Sequence, residues 1–106
     1  MDAGFAPKII PVSYKLLQNY PNPFNPNTTI KFGIPESGDN KLVSLKIFNI
    51  LGQEVSTLLN GNMEAGYHEV KWNGLNQHGF SVASGIYFYR LIGEGIHQVK
   101  KMVLIR

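Results

Sequence analysis

Gly85 to Ile92 reads GIYFYRLI. In an extended chain successive side chains point to opposite faces, so Tyr87, Tyr89 and Leu91 share one face and Ile86, Phe88 and Ile92 the other. Both faces carry large apolar groups and the residue types favour strands, which predicts a central strand with a neighbour on each side. Downstream, Gly93 to Gly95 supplies a turn, and IHQVKKMVLI then runs as a further strand towards Arg106.

Upstream of the central strand, Asn73 to Gly85 has glycines at 74, 79 and 85 and reads as a long loop. Before it, GYHEVKWN from Gly66 puts His68, Val70 and Trp72 on one face and Tyr67, Glu69 and Lys71 on the other. EVSTLLN at 54–60 fits either a short strand or a short amphipathic helix, and LGQE at 51–54 turns the chain ahead of it. LVSLKIFN at 42–49 points Val43, Leu45 and Ile47 one way, and TTIKFGI at 28–34 does the same with Ile30, Phe32 and Ile34. Pro35 with Gly38, Asp39 and Asn40 separates these two runs. With a first segment at 14–17, about seven short strands follow one another at intervals of roughly 8–12 residues. That spacing predicts an all-β, immunoglobulin-like antiparallel β-sandwich, two sheets over one core.

Composition sets the limits of function. Charged residues are 16% of the 106, below the roughly 25% of an average domain, and eleven glycines with six prolines favour turns over long helices. The net charge of +3 is spread out, with no basic run longer than Lys100-Lys101, too little for a nucleic-acid footprint. No apolar run approaches the roughly 20 residues of a membrane-spanning helix, so no membrane span is expected. Cysteine is absent, which removes disulfides and thiolate chemistry and leaves the compartment open. The first 16 residues lack the basic start and apolar stretch of a secretory signal. Residues 1–13, with Gly4, Pro7 and Pro11, read as a linker or N-terminal extension containing a short pairing segment at 8–10, and residues 14–106 as one module.

A catalytic reading finds little to work with. Aspartate occurs only at Asp2 and Asp39, and His68, His78 and His97 have no metal-ligand spacing. Ser81 and Ser84 near His78 lack both a nucleophile-elbow motif and an acid partner. The chain is therefore expected to be no enzyme and to need no cofactor. Asn73, Asn76 and Gln77 are candidate ligands for a hard cation, set against the alternative that they and the glycines only shape a strand crossing. Asn27-Thr28-Thr29 matches a glycosylation sequon. Phe48, Phe88 and Tyr67, on faces shared with Lys46, Arg90 and Lys71, are candidate platforms for sugars or contacts for a partner.

Taken in order, LLQNYPNPFNPNTTIKFGIP, VSLKIFNILGQEVSTLLNG, EAGYHEVKWNGLNQHGFSVASGIYFYRL and the terminal KKMVLIR resemble the type A C-terminal sorting domain of the type IX secretion system. They are more distantly similar to the immunoglobulin-like domain of flagellar hook-capping proteins. The resemblance covers residues 14–106. It implies a non-catalytic module that directs an attached N-terminal cargo from the periplasm through the outer-membrane translocon, to the medium or the cell surface of a Bacteroidetes-type bacterium. Translocon and sortase components are the implied partners, with removal of the domain and surface attachment of the cargo in many members. The matching signal positions are Pro21, Asn22, Pro23 and Phe24 at the entrance, Gly85, Tyr87 and Arg90 in the central strand, and Lys101, Met102, Val103, Leu104 and Ile105 at the end. Asn73 stands where many relatives carry aspartate, which counts against a cation in that loop.

Two other functions remain open on the residues alone: a carbohydrate-binding accessory module and a structural assembly module. For the sorting role, the last strand is expected to offer an unpaired edge or an unencumbered end that another chain can grip by strand addition; the alternative is that Met102 to Ile105 only close the sandwich core, and the two are compatible because one face of a strand can pack while its edge stays readable.

Overall fold

The computed structural model describes residues 9–36 and 41–106. Seven strands follow in chain order: β1 Lys15–Leu16, β2 Thr28–Ile34, β3 Lys41–Phe48, β4 Glu54–Met63, β5 Gly66–Trp72, β6 Gly85–Gly93 and β7 Ile96–Leu104. They form a three-stranded sheet in the order β1-β2-β5 and a four-stranded sheet in the order β4-β3-β6-β7, every strand pair antiparallel. The expected immunoglobulin-like sandwich is the observed architecture. In constant-type immunoglobulin domains the fourth strand joins the first, second and fifth; here β4 pairs with β3 and widens the other sheet.

The alternating pattern is what assembles the core. Ile30, Phe32 and Ile34 from β2 face Val43, Leu45 and Ile47 from β3 and Tyr89 and Leu91 from β6, all fully buried. Trp72, Met102 and Leu104 close the core at one end. Burying side chains of this size contributes roughly 1.5–3 kcal/mol each relative to leaving them in water.

β6 lies between β3 and β7, as its sequence predicts. Its second apolar face, however, looks outward: Ile86 is 41% exposed, and Phe88 and Ile92 are half-buried. Residues 54–60 form strand, not helix. Their ambiguity has a physical origin in two bulges on β4. Leu45 and Lys46 pair with Leu59 and Thr57, skipping Leu58, and Ile47 and Phe48 pair with Ser56 and Glu54, skipping Val55. Each skipped residue breaks the alternation, so apolar residues fall at a spacing that mimics a helix.

Of the pairing segment expected at 8–10, Lys8 lies outside the described residues and residues 9–10 form no strand. The expected turn at Gly38, Asp39 and Asn40 also lies outside them. Pro11 is buried, and a Cβ at Gly33 would come within 2.8 Å of its ring and 2.9 Å of the Tyr67 ring. Glycine at 33 therefore lets two side chains close over β2. Among the described residues no helix is long and apolar enough to cross a membrane.

Candidate recognition site

The entrance segment, 18–27, folds over one end of the sandwich and reaches the last strand. All three of its X-Pro bonds, at Pro21, Pro23 and Pro26, are cis. Phe24 is 2% exposed and its ring sits 5.7 Å from Trp72, which in turn meets Tyr87 edge-on at 5.4 Å. Trp72 is held in place by its indole N–H, which donates to the Leu75 carbonyl at 2.9 Å. The entrance is thus anchored by a ring stack shared between β5 and β6.

Main-chain bonds then join the entrance to β7. The Phe24 N–H donates to the Val103 carbonyl at 3.0 Å, and the Ile105 N–H donates to the Phe24 carbonyl at 2.9 Å, a parallel bridge with Leu104. The Val103 N–H donates to Asn22 Oδ1 at 3.0 Å, and Gln18 Nε2 donates to the Lys101 carbonyl at 2.8 Å. The expectation of an unpaired edge on the last strand is therefore corrected from Lys101 to Ile105: the chain's own entrance occupies it. Proline explains why the entrance adds no full strand, since it has no N–H to donate and the three prolines leave only Asn22, Phe24 and Asn25 between them.

Most of the sequence-derived positions converge here. Phe24 and Asn22 touch β7, Gly85 pairs with Leu104, and Tyr87 pairs with Met102. Pro21 and Pro23 are exposed beside them. Met102 and Leu104 point into the core while Lys101, Val103 and Ile105 point outward. Arg90 stands apart on the outer face of the four-stranded sheet, its guanidinium 4.2 Å from the Phe48 ring centre.

Behind the entrance lies a buried polar knot that sequence reading does not reveal. The Tyr89 hydroxyl donates to the Leu17 carbonyl at 2.7 Å and accepts from the Asn19 N–H at 2.8 Å. Burial pushes its pKa up to about 12, against a smaller opposing effect of the Asn19 bond. Asn19 Nδ2 donates to Thr28 Oγ1 at 2.9 Å and to the Pro21 carbonyl at 3.2 Å, and Thr28 Oγ1 donates to the same carbonyl at 2.9 Å. Asn19 and Thr28 are the buried polar residues of the core region, and their mutual bonds remove the desolvation cost of placing them there. The partners lie as far as 72 residues apart, so no local motif signals them.

The long loop 73–84 is closed in the same way. The Tyr87 hydroxyl donates to the Ala83 carbonyl, four residues upstream, at 2.7 Å, the arrangement of a tyrosine corner. Burial raises the Tyr87 pKa, while the nearby Arg106 charge lowers it by less. Arg106 donates from Nε to the Val82 carbonyl and from Nη2 to the Gly74 carbonyl, both at 2.6 Å, and its N–H donates to Ser84 Oγ at 2.8 Å. Gly74 has φ +74°, and a Cβ there would meet Arg106 Nη2 at 2.7 Å, so the loop and the Arg106 latch both require glycine. Arg106→Ala is expected to lower stability by about 1 kcal/mol, the net value of hydrogen bonds made at a wet surface. Thermal unfolding of the variant measures it, with Arg106→Lys recovering only part because an ammonium cannot span two carbonyls as a guanidinium fork does.

The loop's amides do not converge on a cation. Asn73 Oδ1 accepts from the Leu75 N–H, and Asn76 Oδ1 accepts from the N–H groups of His78 and Phe80. These oxygens shape turns, as in the alternative reading of the sequence. Calcium or a chelator is accordingly expected to leave the unfolding midpoint unchanged, since a ligand that binds only the folded state would raise it.

The candidate sugar platforms are partly covered. The Arg90 guanidinium lies over Phe48, and Lys31 Nζ lies 5.1 Å from the centre of the Tyr67 ring. Phe88 is half-buried beside Phe48 on the next strand. His68 stacks on Phe32 at 5.5 Å and its Nε2 contacts the Glu64 carbonyl at 2.8 Å, so its ring packs against β2. Glu54 bonds Thr57 and Lys46, both of which hold its carboxyl below the usual value.

Among known proteins, the sequence model described as the FlgD Ig-like domain matches residues 22–93. No curated protein sequence matches the chain. Solved structures similar to it include the following three. The dimeric latent PorU of Porphyromonas gingivalis superposes with a TM-score of 0.71 at 22% identity, over 96% of this chain and 10% of PorU. PorZ, described as an essential bacterial surface component of the type-IX secretion system of Porphyromonas gingivalis, gives 0.57 at 26% identity, over 84% of this chain and 11% of PorZ. The alkylpurine DNA glycosylase AlkC of Pseudomonas fluorescens gives 0.56 at 11% identity, over 90% of this chain and 31% of AlkC. The likenesses to PorU and AlkC are likenesses of fold, and the chain spans about a tenth of PorU and of PorZ.

Proposed function

Because this chain belongs to the FlgD Ig-like domain family, we propose that it is a non-catalytic recognition module, and specifically a type A sorting domain of the type IX secretion system. Its task is to direct an attached cargo from the periplasm through the outer-membrane translocon, to the medium or the cell surface, with sortase components as later partners. The observation that carries this reading is the union of entrance and last strand: Asn22 and Phe24 bond the main chain of Val103 and Ile105. The two sequence regions that resemble the sorting signal are thereby one surface in space. The likeness to PorZ supports the same system.

The module needs no chemistry of its own for this role. Folded, it presents Pro21, Pro23, Lys101 and Ile105 on one exposed end while Phe24, Met102 and Leu104 hold that end to the core. The test is a fusion of residues 1–106 to the C-terminus of a periplasmic reporter in a bacterium with a type IX system. The expected result is reporter outside the outer membrane. Quantitative retention in the periplasm with the domain folded and intact overturns the proposal.

A further inference from the structure

On the outer face of the four-stranded sheet the cross-strand register lays out two adjacent rows. Phe48, Phe88 and Lys101 form one, and Lys46, Arg90 and Val99 the next. Val99 is 47% exposed, and Ile86, 41% exposed, continues the apolar surface beyond Phe88. Lys46 is paired with Glu54 at 3.2 Å. Among the described residues neither Arg90 nor Lys101 meets a carboxylate, and Arg90 Nε is buried without a hydrogen-bond partner.

We infer that this face is the docking surface for a partner protein that presents carboxylates beside apolar side chains. Under the export reading above, on which this inference rests, that partner is a component of the translocon. The combination of aromatic rings, aliphatic groups and arginine is the composition of protein interface cores. Arg90 and Lys101, which meet no carboxylate among the described residues, set the sign of the partner. The Arg90 guanidinium carbon sits over the Phe48 ring, 4.2 Å from its centre, so little side-chain freedom is lost when a carboxylate reaches the guanidinium, and the burial of Nε strengthens the pairing. A second copy of the chain fits poorly, because a two-fold contact on this face sets Arg90 and Lys101 against like charges. A sugar loses the Phe48 face to Arg90. Two free cations are too few for a phosphate backbone.

The experiment uses the same full-chain reporter fusion. R90E/K101E is expected to cut export by roughly tenfold or more, as reversal of paired charges at an interface does, while the reporter accumulates folded in the periplasm. K31E/K71E makes the same change of net charge on the outer face of the other sheet and is expected to export as the parent does. Because Arg90 packs on Phe48, K101E alone serves as the variant that cannot unfold the domain: its side chain is exposed and only its backbone meets Gln18. It is expected to lower export by roughly threefold or more. Full export of R90E/K101E overturns the inference and leaves the sorting function standing. Equal loss in both double variants overturns it in favour of a net-charge effect. A concentration-dependent dimer, or glycan binding, that R90E/K101E abolishes overturns it in favour of those occupants. Retention of the unmodified fusion removes the sorting function and this partner together.

Discussion

Trp72→Ala should destabilise the domain by about 3–5 kcal/mol, the range for deleting a buried indole. Trp72 is 1% exposed and is the central ring between Phe24 and Tyr87. Its loss opens a cavity where the two sheets, the entrance and the 73–84 loop meet, and it orphans the Leu75 carbonyl. Against a total stability of roughly 5–15 kcal/mol for such a domain, the change removes a large share, and at the lower end of that range it brings the variant close to half-unfolded at ambient temperature. Urea unfolding followed by Tyr fluorescence or far-ultraviolet circular dichroism measures it. Trp72→Phe should recover more than half of the loss, because a smaller ring still separates Phe24 from Tyr87. A cost below about 1 kcal/mol would mean that the site collapses around the deletion instead of supporting the entrance.

Tyr89→Phe is the second large effect, and it carries a pH signature. The substitution keeps the ring and removes one hydroxyl, leaving the buried Asn19 N–H and the Leu17 carbonyl without partners. The buried Asn19 N–H costs about 1–3 kcal/mol when unsatisfied and the part-buried Leu17 carbonyl about 1 kcal/mol, so a loss of about 2–4 kcal/mol is expected. In the parent protein the hydroxyl's pKa is raised from 10.0 to about 12 by burial. A raised folded-state value means that the folded chain holds the proton more tightly than the unfolded one. The associated stability is complete below pH 10 and is lost as pH climbs from 10 towards 12. Tyr89→Phe should flatten that part of the alkaline profile, since no proton remains to be lost there. Unfolding midpoints at several pH values, parent against variant, decide this. An unchanged alkaline slope would place the titration on another tyrosine.

The strands were readable from the sequence wherever one face is buried and no residue is skipped. β2 and β3 alternate cleanly, and their inward residues Ile30, Phe32, Ile34, Val43, Leu45 and Ile47 are the ones that the pattern selects. β4 was ambiguous because its bulges at Val55 and Leu58 shift the register twice, and the pairing partner that defines a bulge is a property of another strand. The outer face of β6 misled in a different way. Ile86, Phe88 and Ile92 look like a covered face, and hydrophobic spacing alone cannot say whether the cover belongs to the same chain.

The site was legible in its parts and hidden in its assembly. Pro21 to Phe24 and Lys101 to Ile105 were visible as separate signals, but their contact spans about 80 residues of chain and is made largely by backbone groups. Backbone bonds leave no side-chain signature. Asn19, Thr28 and Arg106 were missed for the related reason that their polarity is spent on distant carbonyls and hydroxyls, so nothing beside them in sequence announces a role.

The bridge from Phe24 to Leu104 also orders events in time. Asn22 and its partner Val103 are 81 positions apart, so on a ribosome or during threading through a membrane the first half of the contact waits for nearly the whole domain to follow. A contact of such long range adds little until the loop between its ends is closed, which makes it a late step of folding. A chain interrupted before β7 leaves the Phe24 N–H and carbonyl without these partners and the ring stack without the strand that backs it. The closed entrance therefore reports a finished domain: only a chain complete through Ile105 can form both of its backbone bonds to Phe24.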